Sequence, residues 1–156
     1  MIINIFSIGK IKSNFIREGE GDYLKRLKLS PFRISTIELG IELKGSTCEV
    51  KLRREADKFF THITPTEILI VLDEQGVKMS SLQFSQFIGN HMNMGTKKIS
   101  FAIGSAAGWH KSVISRATIK LSLSDLTFPF QFTRLILIEQ LYRAHSILTA
   151  SPYHKE

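Results

Sequence analysis

Cysteine is nearly absent from this chain: Cys48 stands alone among 156 residues. A single thiol can form neither an intramolecular disulfide nor a cysteine-rich zinc site, and its sparing use fits a reducing compartment. Placed just ahead of a surface-like helix, Cys48 reads as an inert, semi-buried thiol. No apolar run reaches the roughly 18 to 20 residues that a membrane span needs. The apolar start, Met1 to Gly9, has neither a basic leader nor a small-residue cleavage pattern, so a cytoplasmic protein is expected. Cofactor and metal signatures are missing as well. Neither GxGxxG nor GxxxxGKS/T occurs, and His62, His91, His110, His145 and His154 never fall into HExxH or another ligand spacing, so no metal is expected. GxSxG is absent too, which leaves covalent catalysis without a nucleophile. There is no repeat, low-complexity stretch or linker, and the length fits one domain, residues 1–156.

Acidic residues are the scarcer charge. Asp and Glu number 14 against 21 Lys and Arg, a formal net charge of +7 with a pI near 9.7. An excess of this size favours polyanionic partners, although a solvated basic surface gives the same count. The cations concentrate early, at Lys10, Lys12, Arg17, Lys25, Arg26 and Lys28, and again on a middle helix at Lys51, Arg53, Arg54 and Lys58.

What is present is an alternation of strands and helices. Ile2 to Ile8 is a β-branched apolar run closed by Gly9. Ser13 or Asn14 then opens a helix to about Leu27, with Gly19 and Gly21 expected to make its start irregular. Phe32 to Leu39 reads as a strand, and Thr47 or Cys48 to His62 as a basic amphipathic helix. Glu67 to Asp73 is a continuous apolar run of the kind buried on both faces of a parallel sheet, ended by a turn at Glu74 to Gly76. A helix from Ser80 or Ser81 to about Met92, a strand from Lys98 to Ile103, a short helix from His110 to Arg116 and a strand from Ile119 to Leu123 complete the series. The pattern predicts an α/β fold with a mostly parallel sheet and helices on both faces. Ligands bind such sheets beyond the carboxyl ends of the strands, which here carry Leu72-Asp73, Gly104 to Gly108 and Ser124 to Phe128.

The last fifth of the chain places reactive residues on a very apolar helix. Over Gln131 to Leu148, Arg134 and His145 fall within roughly 20° of each other at about 100° per residue, on one face with Ile138 and Leu141. Leu135, Ile136, Tyr142 and Ile147 make the opposite face apolar as well. A second subunit is the simplest cover, so a homodimer is expected. Glu139 and Arg143 form an i,i+4 pair. Arg143 suits a phosphate or a nucleobase carbonyl, and Tyr153 and His154 can supply stacking and proton transfer. Gly104-x-x-x-Gly108 permits close approach to a ligand but fits a plain turn equally well.

Taken in order, Ser7-Ile-Gly-Lys10, Asp22-Tyr-Leu-Lys-Arg26, Val71-Leu-Asp-x-x-Gly76, Ile103-Gly104, Leu123-Ser-x-x-Leu126-Thr-Phe-Pro129, Arg134, Glu139-Gln-x-Tyr142-Arg143-Ala144 and Pro152-Tyr-His-Lys155 resemble the ribosomal RNA large subunit methyltransferase H family, small methyltransferases of the SPOUT class. The resemblance spans nearly the whole chain. It implies an α/β fold with a C-terminal trefoil knot, which chain-connection rules alone would have excluded. It also implies a homodimer and transfer of a methyl group from S-adenosylmethionine to N3 of pseudouridine 1915, in helix 69 of 23S rRNA on the assembled 70S ribosome. Carried over residue by residue, cofactor contacts fall on Leu72, Gly104, Leu123, Ser124, Asp125, Leu126, Thr127 and Phe128, and the catalytic residues on Arg143, Tyr153 and His154. RNA contact is expected at Lys10, Lys25, Arg26 and Arg134. Two positions depart from the family pattern. Phe130 stands where a histidine usually follows the proline, with His145 the candidate to take over its role, and Ser105 replaces the second glycine of a Gly-Gly pair. Two rival readings accompany this one. A catalytically silent RNA-binding module would bind RNA in a salt-dependent way and leave the cofactor pocket empty, while an ordinary nucleotide-binding enzyme is disfavoured by the missing fingerprint.

Overall fold

Side chains alternate in destination along each central strand of the computed structural model, which describes residues 1–40, 46–151 and 153. On β1 (Ile2–Ile8), Ile3 and Ile5 point to one face of the sheet and Phe6 and Ile8 to the other. The same division separates Ile70 from Leu69 and Val71 on β3 (Ile68–Lys78), and Ile99, Phe101 and Ile103 from Ala102 on β4 (Lys98–Ile103). Strands that are apolar on both faces need a helical layer on each, and the chain supplies them. One face is covered by α1 (Asn14–Arg26), α3 (Ser81–Asn93) and α5 (Phe130–Leu148), through Tyr23, Leu24, Phe84, Ile88, Leu137, Ile138 and Leu141. The other is covered by α2 (Cys48–Phe60) and α4 (Lys111–Arg116), through Ala56, Phe59 and Val113.

With β2 (Arg33–Leu39) and β5 (Ile119–Ser122) the sheet has five strands in the order β2-β1-β4-β3-β5, paired in parallel throughout. The crossover from β4 to β5 therefore passes β3. It brings the carboxyl ends of β3, β4 and β5 to one side of the sheet, and the chain leaves β5 there to begin α5.

Two local expectations give way. The turn at Glu74 to Gly76 is instead part of β3, which runs on to Lys78 with a bulge where its register against β5 shifts between Leu72 and Val77. Gly76 is what permits the close passage, since a Cβ there would lie 2.6 Å from the backbone of Lys120 and Leu121. Nor do Gly19 and Gly21 disturb α1, which is continuous, because packing against α5 outweighs a propensity deficit of about 1 kcal/mol per glycine. Helix starts follow their caps more closely: Thr47 accepts from the Val50 amide, and Ser80 and Gln83 form a reciprocal capping box. Cys48, the first residue of α2, is exposed rather than semi-buried.

Arg134 ties α5 to the sheet. Its Nε and Nη2 each donate to a Glu20 carboxylate oxygen at 2.7 Å, and Nη1 donates to Glu38 at 3.1 Å and to Ser7 at 3.2 Å. Arg134 is 3 % exposed and Glu20 5 %. Arg134, where RNA contact was expected, thus has its donors taken up inside the protein.

Candidate active site

The carboxyl ends of β3, β4 and β5 open into one cavity of about 890 Å³, the size of a cofactor pocket. Three walls form it: Leu72 to Gln75, Ile103 to Trp109, and Leu121, Leu123, Ser124 and Leu126 to Phe130, with Thr133 of α5 beside them. Gly104 sits where no side chain fits, since a Cβ would lie 2.8 Å from the Gly108 backbone and 3.0 Å from the Trp109 ring. The Gly108 amide donates to the Ser105 carbonyl at 2.8 Å and closes that loop into a tight turn. The third wall is shaped by its own serines: Ser122 Oγ donates to the Ser124 carbonyl at 2.9 Å, and the Leu126 amide donates to Ser124 Oγ at 2.9 Å. Thr127 Oγ1 donates to Glu74 at 3.0 Å and links the third wall to the first.

A second group of polar residues lies at the far end of α5. Arg143 donates to Glu139 through Nε at 3.0 Å and Nη2 at 2.7 Å, and its guanidinium carbon lies 5.1 Å from the centre of the Tyr153 ring. The Tyr153 hydroxyl donates to the same Glu139 oxygen at 3.3 Å and lies 3.4 Å from the Tyr23 hydroxyl of α1. The contact with Tyr23, burial and the nearby Glu139 charge push the Tyr153 pKa up to about 12, so it is a neutral phenol at physiological pH. Arg26 of α1 closes the group, its guanidinium carbon 5.7 Å from the rings of both Tyr23 and Tyr142. Thr133 and Arg143 are ten residues apart on one helix, so this cluster stands about 15 Å along the axis from the cavity edge.

A protein-family model described as "Predicted SPOUT methyltransferase" matches residues 1–154. Curated relatives named "Ribosomal RNA large subunit methyltransferase H" include the proteins of Carboxydothermus hydrogenoformans, 40% identical over 161 residues, and Acetivibrio thermocellus, 36% identical over 159 residues. In both cases the match covers 99% of this chain and 100% of the relative. The relative of the same name from Trichlorobacter lovleyi is 37% identical over 155 residues, covering 99% of each chain. The chain belongs to the ribosomal RNA large subunit methyltransferase H family of SPOUT proteins. Membership implies a methyl donor of the S-adenosylmethionine type.

Of the cofactor residues carried over from the ribosomal RNA large subunit methyltransferase H family, Leu72, Gly104, Leu123, Ser124, Leu126, Thr127 and Phe128 line the cavity. Asp125 does not: its exposed carboxylate turns outward to pair with Lys78. Arg143 and Tyr153 meet each other at the far end of α5, while His154 lies outside the described residues. Arg26 joins them, and Lys10 and Lys25 are exposed. At the family's histidine position, the Phe130 ring lines the cavity and packs against Gly9 at the end of β1. His145, the candidate to take over its role, lies apart from that position within the chain. It is fifteen residues further along α5, about 22 Å of axis, with its ring 6.0 Å from that of Phe32, and burial lowers its pKa. Trp109 and Glu74 of the cavity wall carry no sequence signal of their own, beyond Trp109 being the single tryptophan and following Gly108. Among the described residues no cluster of His, Cys, Asp or Glu could hold a metal ion, and no helix is long and apolar enough to cross a membrane.

Proposed function

We propose that this protein methylates N3 of pseudouridine 1915 in helix 69 of 23S rRNA, acting in the cytoplasm as a homodimer on the assembled 70S ribosome, with S-adenosylmethionine as donor. The observation that carries the reading is the cavity at the ends of β3, β4 and β5, whose wall closes so tightly at Gly104 that a Cβ there would strike Gly108 and Trp109. The residues present fit the cofactor. Leu72, Leu123 and Phe128 offer apolar cover for an adenine, the backbone groups of the loop from Leu123 to Phe128 can read its edge, and the indole N–H of Trp109 has no partner among the described residues. The C-terminal segment from β5 into α5 supplies the third wall, where the family resemblance puts the trefoil knot.

When bound, S-adenosylmethionine supplies an electrophilic methyl group on a sulfonium that leaves as a neutral thioether. N3 of pseudouridine is a weakly acidic imide, so its proton must leave as its electron pair forms the new N–C bond. His154 takes that proton in this reading. Arg143, held by Glu139, stabilises the charge that develops on the neighbouring carbonyl oxygen. Tyr153, a neutral phenol with its ring against the guanidinium, positions Arg143 and serves as a hydrogen-bond donor, not as the base.

The separation along α5 supports the dimer. Phe15 of α1 is 61 % exposed and Phe132 of α5 is 42 % exposed, with ring centroids 5.9 Å apart, on the two helices that carry the polar cluster. Burying this apolar pair against a second copy would let the cluster of one protomer serve the cavity of the other. Calorimetric titration with S-adenosylmethionine and with S-adenosylhomocysteine tests the cofactor: heat is expected with both, and none with either overturns the proposal. Mass-spectrometric mapping of 23S rRNA from a deletion strain tests the base, with loss of the N3-methyl group at position 1915 expected and an unchanged map excluding it.

A further inference from the structure

Beneath the Gly104–Trp109 loop lies a charged residue that the reaction does not use. Glu55 of α2 is 0 % exposed, and its Oε1 accepts no hydrogen bond among the described residues. Lys51, one turn earlier, holds its Nζ 3.9 Å from that oxygen, beyond hydrogen-bond reach. The other carboxyl oxygen accepts from Ser105 Oγ at 3.3 Å. Burial pushes the Glu55 pKa up, with Lys51 and Ser105 opposing it. An incompletely satisfied carboxyl is expensive to bury, and an apolar side chain would fill the same space without that penalty, so the bond Glu55 makes requires an explanation.

That bond reaches the cavity wall. Ser105 follows Gly104 directly and also accepts the Gly108 amide that closes the loop, so its position sets where the backbone of Gly104 and Gly108 faces the ligand. Trp109 ends the loop with its ring centroid 5.0 Å from that of Phe59, one helical turn beyond Glu55 on α2. Its Nε1 is likewise buried and unpartnered among the described residues, so the same corner holds an acceptor without a donor and a donor without an acceptor.

We propose that Glu55 is a positioning residue of the cofactor site, acting through Ser105 to hold the Gly104–Trp109 loop in the shape that receives S-adenosylmethionine. The proposal rests on the methyltransferase reading of the cavity. Three variants test it: Glu55→Ala, Glu55→Gln and Ser105→Ala, titrated with S-adenosylhomocysteine by calorimetry and by the emission of Trp109, the chain's single tryptophan. Glu55→Ala and Ser105→Ala should bind about tenfold more weakly, the order expected for one buried hydrogen bond. Glu55→Gln, which keeps an acceptor for Ser105, should stay within about threefold of the parent. In turnover assays the loss in Glu55→Ala should appear in the KM for the cofactor, with kcat retained at saturation, a split that general destabilisation does not produce. Parent affinity in a folded Glu55→Ala overturns the inference, and so does a loss that Glu55→Gln fails to restore. Should Glu55→Ala not fold, parent affinity in Ser105→Ala overturns it alone. A parent protein that itself binds no S-adenosylhomocysteine would instead defeat the methyltransferase reading, a separate result.

Discussion

The two ends of α5 solve different problems with different materials. At its start, the cavity is walled by apolar side chains, two glycines and short polar residues from one strand and two loops of a single chain, and bonds within the last of these segments help set its shape. At its end, the cluster is made of long side chains, Arg143, Glu139, Tyr23, Tyr153 and Arg26, held to one another by charge and ring contacts. A pocket for a fixed small molecule can be rigid. In the proposed function the cluster meets a base within a folded RNA, where side chains that can re-aim, Arg143 above all, are an advantage.

Arg134 lies between the two ends, and breaking it should damage both. Arg134→Leu leaves Glu20 buried without its partner and should cost about 3–5 kcal/mol in chemical denaturation. A loss below about 1 kcal/mol would show that Glu20 is solvated by other means. Arg143→Ala should separate the ends cleanly, with kcat falling about a hundred- to a thousandfold while calorimetric cofactor affinity holds. Turnover at the parent rate would remove Arg143 from the chemistry. Gly104→Val should do the reverse, weakening cofactor binding about ten- to a hundredfold through the clash with Gly108, and unchanged affinity would take the loop out of the site. The smallest effect expected concerns pH. Burial lowers the His145 pKa below its ordinary 6.5, so the unfolded chain takes up that proton first, and stability is lost as pH falls through 6.5 toward the folded value. His145→Phe should lose less stability than the parent between pH 7.5 and pH 5 in paired denaturation curves. Parallel losses would mean that His145 titrates alike in both states.

Hydrophobic patterning made most of the fold legible. The bounds of β1 and β4 match their apolar runs, and α5 begins one residue earlier than expected. Failures occurred where a local rule met a tertiary demand. Glu74-Gln-Gly76 has the composition of a turn, yet pairing with β5 draws it into a bulged strand. The apolar face of α5 marked Arg134 but not its partners, because its acceptors come from residues more than ninety positions away in sequence. Glu55 was hidden for the same reason. In a helix as charged as α2 every carboxylate reads as solvated, and the contact of Glu55 with Ser105 joins residues fifty positions apart. Asp125 differs from its neighbours in that its side chain faces Lys78 while theirs line the cavity, a distinction that a motif carried over as a block does not make.

The pairing of Arg134 with Glu20 spans 114 positions, and the Lys12 amide donates to Gln131 across 119. In the order of synthesis, the first helix therefore cannot take its final place until the last one has left the ribosome. Such long loops slow folding relative to chains of local contacts. Glu20 must stay hydrated through that interval, since burying its charge before the guanidinium arrives would be prohibitive. The cavity, whose third wall is formed by the same late segment, cannot hold a ligand earlier. Competence for cofactor is thus a checkpoint passed only once α5 has docked.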